Sequence, residues 1–114
     1  MPESTKRNAL TEAVFFILLA LHEPMHGYGI MQYIERVTDG RVLLGAGTLY
    51  GALNTLLEKR WIRLLDSEGT ARKKEYLITN QGREVVKDEM ERLLELIRCG
   101  RSITGGGIDE TERL

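Results

Sequence analysis

The pattern of apolar and polar positions changes character along the chain. From Ala13 to Leu21 every residue is apolar (AVFFILLAL). A run of this length with no polar face predicts a buried helix over Leu10–Leu21, with Thr11 as its cap and Pro24 ending it. Ile30, Ile34 and Val37 then recur at helical spacing, with Met31 alongside, and predict a second helix over Gly27–Thr38. Asp39-Gly40 supplies the following turn. A third helix is predicted over Thr48–Lys59. Leu49, Ala52, Leu53, Leu56 and Leu57 form its inward stripe, and Thr48, Tyr50, Gly51, Asn54, Thr55 and Glu58 its outer face.

Beyond Lys59 the period shortens. Trp61–Asp66 and Arg72–Ile78 read as extended runs around Ser67-Glu68-Gly69-Thr70, the signature of a β-hairpin. Thr79 then caps a long helix over Asn80–Cys99. Within it Val86, Met90, Leu93 and Ile97 follow a four, three, four spacing, which makes a seam suited to a second copy of the helix, widened by Val85 and Leu94. Residues 100–114 carry Gly105-Gly106-Gly107 and many polar side chains, and are expected to be disordered. The expected organisation is therefore 1–78 as one helical and hairpin-bearing domain, 79–99 as a dimerisation helix, and 100–114 as a tail. The fold class expected is α+β, mostly helical.

Composition narrows the function less than charge placement does. The 114 residues are 42% hydrophobic and 29% charged, with a formal net charge of −1, so the molecule as a whole is not a basic nucleic-acid binder. Its bases are concentrated, however. Between Glu58 and Lys74 six bases (Lys59, Arg60, Arg63, Arg72, Lys73 and Lys74) face three acids, whereas from Glu75 onward six bases face nine acids. A basic middle followed by an acidic helix favours a local anion-binding face. The apolar run Ala13–Leu21 is too short to span a bilayer and leads to no small-residue cleavage site. With Cys99 the only cysteine, no intrachain disulfide can form, and a cytoplasmic setting is expected.

Three motifs suggest enzyme or cofactor chemistry. His22-Glu23-Pro24-Met25-His26 spells the H-E-x-x-H zinc motif, which needs both histidines on one helix face; Pro24 between them argues for a turn instead. Gly45, Gly47 and Gly51 follow Val42-Leu43-Leu44 and resemble a dinucleotide-binding loop, with Asp66 at the offset of a ribose-binding acid. That alternative needs parallel strands that the remaining chain is too short to supply. Cys99 closes a helix whose C-terminal dipole disfavours a thiolate, so it is a poor nucleophile. No catalytic residue, metal site or cofactor is expected.

The nucleic-acid reading unites more of the sequence. Two short helices joined by a glycine turn have helix-turn-helix order. The second offers Thr48, Tyr50, Asn54 and Thr55 to phosphates or base edges. The hairpin behind it carries Arg72, Lys73 and Lys74, suited to backbone phosphates. Leu10 and Val14 of the first helix, with Val86, Met90, Leu93 and Ile97, are the expected dimer contacts. The whole describes a winged helix-turn-helix. The alternative within the same fold is a ligand-sensing or protein-interaction module that does not bind DNA.

Several ordered motifs resemble the PadR family of transcriptional regulators: His26-Gly27-Tyr28-Gly29-Ile30, Gly47-Thr48-Leu49-Tyr50-Gly51-Ala52-Leu53, Leu57-Glu58-Lys59-Arg60-Trp61-Ile62, Arg72-Lys73-Lys74-Glu75-Tyr76-Leu77-Ile78-Thr79, and Gly82. The resemblance runs from about Leu10 to Leu96 and fits the smaller subgroup with one terminal helix. It implies a homodimeric repressor bound to operator DNA and relieved by a small-molecule effector, with the third helix in the major groove and the hairpin as a wing. Three positions depart from the family pattern. Ala46 replaces a serine or proline in the turn, Gly51 replaces a proline, and Arg60 stands where relatives carry glycine.

Overall fold

The computed structural model describes residues 9–65 and 74–105. Its elements run α1 (Glu12–Ala20), β1 (Met25–His26), α2 (Gly27–Val37), α3 (Ala46–Glu58), β2 (Ile62–Leu65), β3 (Glu75–Ile78) and α4 (Asn80–Thr104). The three strands form one antiparallel sheet in the order β1-β3-β2. The fold is thus α+β and mostly helical, a winged helix-turn-helix with a long last helix.

Three of the four described helices start where the sequence supplies a side-chain acceptor. Thr11 Oγ1 accepts from the Val14 N–H at 3.1 Å and opens α1. His26 Nδ1 accepts from the Gly29 N–H at 3.1 Å and opens α2, and Thr79 Oγ1 accepts from the Gly82 N–H at 3.0 Å and opens α4. Only α3 lacks a side-chain cap. Gly45 serves as its N-cap, so α3 begins at Ala46, two residues before the expected Thr48.

The core gathers Ile17, Leu18 and Leu21 from α1 and its cap, Ile30 and Ile34 from α2, and Leu49, Leu53 and Leu56 from α3. Ile62, Tyr76 and Ile78 of the sheet and Val85 and Val86 of α4 complete it. Val37, expected on the inward stripe of α2, is exposed. The next residue, Thr38, is buried instead. Its hydroxyl donates to the Ile34 carbonyl at 2.8 Å and accepts from the Val42 N–H at 3.1 Å, which satisfies it inside and pins the connection to α3.

Two helices end in the same way. After α2, the Asp39 N–H bonds to Arg36 O and the Gly40 N–H to Glu35 O. After α3, the Arg60 N–H bonds to Leu57 O at 3.0 Å and the Trp61 N–H to Leu56 O at 3.1 Å. Both are Schellman endings, which need a left-handed residue just past the cap. Asp39 (φ 57°) tolerates that conformation better than most residues, whereas Arg60 (φ 65°) is strained in it. The departure from glycine at position 60 therefore carries a structural cost. Arg60→Gly is expected to stabilise the fold by about 1 kcal/mol, read as a higher urea midpoint at unchanged slope. An unchanged midpoint would mean that the turn absorbs the arginine without strain.

The last helix does not end at Cys99, as expected, but continues to Thr104. Gly100 is accommodated inside it, with the Thr104 hydroxyl bonded to the Gly100 carbonyl at 2.9 Å. The true stop is Gly105, left-handed at φ 68°, with its N–H on Arg101 O. The remainder of the expected tail, 106–114, lies outside the described residues.

Glu89 is buried on α4 and bonds Arg92 through both carboxylate oxygens, at 2.9 and 2.6 Å. The Arg92 hydrogen bonds hold its pKa below the ordinary 4.5 against the opposing effect of burial, and the Leu10 backbone lowers it further. Such a group stabilises the fold above its unfolded pKa and loses that contribution as pH falls through the folded one. Stability should therefore decline as the pH falls below about 4.5, and Glu89→Gln should flatten the decline while lowering stability at neutral pH. Urea titrations at several pH values check both signs.

Candidate nucleic-acid interface

The outer face of α3 is open. Thr48, Tyr50, Asn54 and Thr55 are all exposed. A Cβ built on Gly47 or Gly51 would meet nothing within 4 Å, so nothing within the described residues explains glycine at either position. Both leave a low surface beside Tyr50 and Asn54, which share their side of the helix. The Thr55 hydroxyl donates to the Gly51 carbonyl at 3.3 Å and keeps only its acceptor capacity for an outside group.

Tyr50 leans from this face toward the start of α2. Its hydroxyl lies so close to the Gly27 Cα that a Cβ there would overlap it. Any side chain at position 27 would have to push Tyr50, twenty-three residues away, out of this place, so Gly27 lets α2 and Tyr50 of α3 meet closely. A cavity of about 390 Å³ opens at this meeting point. His26, Gly27, Tyr28, Tyr50, Asn54, Lys74 and Tyr76 line it. β1 positions His26 beside Glu75 and Met25 beside Tyr76, and β3 thereby brings Lys74 to the rim.

The lining is rich in donors. Lys74 brings a positive charge, and Tyr28 is 62% exposed at the mouth. Tyr76 is only 6% exposed; burial first, and Tyr50 second, push its pKa up, so its phenol stays protonated and able to donate. His26 spends Nδ1 on the α2 cap and has Nε2 left over. The first turn of α2, Gly27 and Tyr28, also contributes the positive end of its helix to this notch. A small donor-rich concavity beside an exposed helix suits an oxyanion such as a phosphate diester.

Of the expected contacts, the structure brings Tyr50, Asn54 and Lys74 together and leaves Thr48 and Thr55 elsewhere on the exposed face. Arg72, Lys73 and the Ser67–Thr70 turn lie outside the described residues, as does Asp66. His26, Tyr28 and Tyr76 were not among the expected site residues. They stood in the quoted motifs, but only the β1–β3 pairing shows that the motifs converge.

The other readings fare differently. His22 follows α1, where Nδ1 lies 3.0 Å from Leu18 O and 3.2 Å from Leu19 O, while His26 caps α2; they do not share a helix face as H-E-x-x-H requires. Val42–Leu44 form no strand, and the sheet is antiparallel, which overturns the dinucleotide reading of Gly45, Gly47 and Gly51. No helix among the described residues is long and apolar enough to cross a membrane.

The expected dimer seam divides in two. Val86 is 4% exposed and belongs to the chain's own core, and Leu10 and Val14 pack half-buried against that core. Met90, Leu93 and Ile97 are exposed, together with Leu94, Leu96 and Ile103. None of the described residues beyond Glu89 on α4 is buried, so this half of the helix carries an apolar face that no described residue covers.

Known proteins share this fold over most of the described chain. The transcriptional regulator PadR-like family model matches residues 17–88. An uncharacterised 37.1 kDa protein in transposon Tn4556 of Streptomyces fradiae is 36% identical over 104 residues, covering 90% of this chain but 28% of that protein. A transcriptional regulator from Clostridium thermocellum superposes with a TM-score of 0.70 at 25% identity, covering 79% of this chain and 87% of that one. Bacillus subtilis PadR, solved in complex with operator DNA, superposes with a TM-score of 0.61 at 20% identity, covering 70% of this chain and 47% of that one, and at that identity shares the fold.

Proposed function

Because the chain belongs to the PadR-like family of transcriptional regulators, we propose that it works as a cytoplasmic homodimeric repressor that binds a two-fold symmetric operator. The observation that carries this reading is the open face of α3 beside the donor-lined notch. Asn54 reaches outward from α3, where an amide can pair with an adenine edge. Tyr50 stands one turn before it, and Thr48 offers a further contact elsewhere on the same exposed face. Tyr28, Tyr76 and Lys74 take a backbone phosphate in the notch, which sets the register of α3 in the major groove. The uncovered apolar face of α4 pairs two copies, so that two α3 helices meet successive turns of the duplex, about 34 Å apart. A small molecule that alters this pairing would relieve repression.

The test is a fluorescence anisotropy titration with the DNA upstream of the protein's own coding sequence, run at several salt concentrations. Tight, salt-sensitive binding is expected. Asn54→Ala should relax preference at one base pair per half-site by about 1–3 kcal/mol without changing the salt slope. A chain that fails to bind any duplex at low salt would instead be a sensing or interaction module of the same fold.

A further inference from the structure

Thr79 ties together two elements with different tasks. Its hydroxyl donates to the Arg60 carbonyl at 2.7 Å, and its backbone N–H donates to the Trp61 carbonyl at 2.9 Å. The same hydroxyl oxygen accepts from the Gly82 N–H and caps α4. Gly82 presses directly on the Trp61 carbonyl, leaving no room for a Cβ. Arg60 and Trp61 are the two residues that leave α3, and their own N–H groups are fixed by the Schellman turn. The end of α3 and the start of α4 are therefore joined backbone to backbone, with the Thr79 hydroxyl adding a side-chain hydrogen bond between them.

We propose that this joint is the positioning device of the regulator: Thr79 holds α3 at a set angle to α4 and thereby sets the half-site spacing that the dimer accepts. The inference rests on the reading of the protein as an operator-binding dimer. The joint grips α3 at its C-terminal end, while Thr48 stands near the opposite end, where Leu49 alone of the first turn is buried in the core. The 13 residues of α3 span about 20 Å. A tilt of about 10° at the joint would move that far end by about 3.4 Å, the rise of one base step. Small loosening at Thr79 is thus large at the DNA.

Two variants separate the joint from the cap. Thr79→Ser keeps both functions of the hydroxyl. Thr79→Asp keeps an N-cap acceptor for Gly82 but has no proton to donate to Arg60 O, so α4 stays capped while the joint loses its hydroxyl bond, puts a carboxylate against that carbonyl, and is left with the backbone bond to Trp61 O. Duplexes selected from random sequence by the wild-type protein serve as probes, alone and with one base pair inserted between half-sites. Wild type and Thr79→Ser should lose about tenfold or more on insertion, and Thr79→Asp less than about threefold. A Thr79→Asp protein that keeps the full wild-type penalty overturns the proposal.

A second measurement needs neither DNA nor a dimer. Spin labels at Ala46→Cys and the native Cys99, diluted into unlabelled protein, report the α3–α4 distance within one chain. Thr79→Asp should broaden that distribution and Thr79→Ser should not. If wild type binds no duplex, the operator reading fails on its own, and the spacing proposal falls with it; unchanged label distances in Thr79→Asp would overturn the joint itself.

Discussion

Replacing Leu93 by glutamate should leave the protein monomeric and lower its affinity for operator DNA by about 100-fold or more. Leu93 is exposed on the half of α4 where no described residue is buried, between Met90 and Ile97. Two-fold pairing counts each substitution twice, and each copy of Leu93 is worth about 1.5–3 kcal/mol when fully buried. Glutamate also places a carboxylate on each side of the contact, and taking two like charges out of water adds to the loss of the leucine. The monomer should keep its helices, because Leu93 lies outside the buried core. Val86→Glu gives the contrasting result. Val86 packs inside the chain, so that change should unfold the protein rather than split it. Sedimentation velocity and circular dichroism on the two variants distinguish the outcomes, and an intact Leu93→Glu dimer would remove the α4 seam.

The split between Val86 and Leu93 marks a general limit of the sequence pattern. A four, three, four spacing says which side chains share a helix face, not which neighbour covers them. Val86 and Met90 look equivalent on paper, yet one meets the core of its own chain and the other meets solvent. The helices were readable because Leu49, Leu53 and Leu56 or Ile30 and Ile34 repeat at the period of the structure they form. β1 was not, since two residues carry no period and its partner β3 lies some fifty residues later.

The same reasoning explains the α4 boundary and the notch. Gly100 and Gly105 are identical in sequence, and only Gly105 has the left-handed backbone that ends a helix. Tyr50 and Lys74 were visible as polar and basic positions on separate elements. Their convergence with His26, Tyr28 and Tyr76 depends on Gly27 admitting Tyr50 and on β1 pairing with β3, both long-range contacts. The missing cap on α3 also gains a physical reading. Gly45 caps a helix nearly as well as serine, so Ala46 costs little stability and leaves the first N–H groups of α3 without a side-chain acceptor. Those groups point outward at the end of the helix that the proposed function presents to DNA.

Neutralising Arg72, Lys73 and Lys74 together to glutamine should weaken binding to every sequence by a similar factor. Lys74 stands on the rim of the notch, and the other two precede it directly in the chain. Each base that neutralises a phosphate contributes about −0.9 to the slope of log affinity against log salt, so three per protomer amount to a slope smaller by about 5 in the dimer. Lys74→Gln alone should reduce it by about 2. Phosphate contacts carry no base information, so the preference for operator over random duplex should persist at equal fractional loss. That separates these residues from Asn54, whose loss should relax preference and leave the slope alone. Anisotropy titrations at four or more salt concentrations resolve the two effects. A triple variant with the wild-type slope would place the phosphate contacts elsewhere, and a triple variant that loses preference with its slope intact would make the wing a reader of bases.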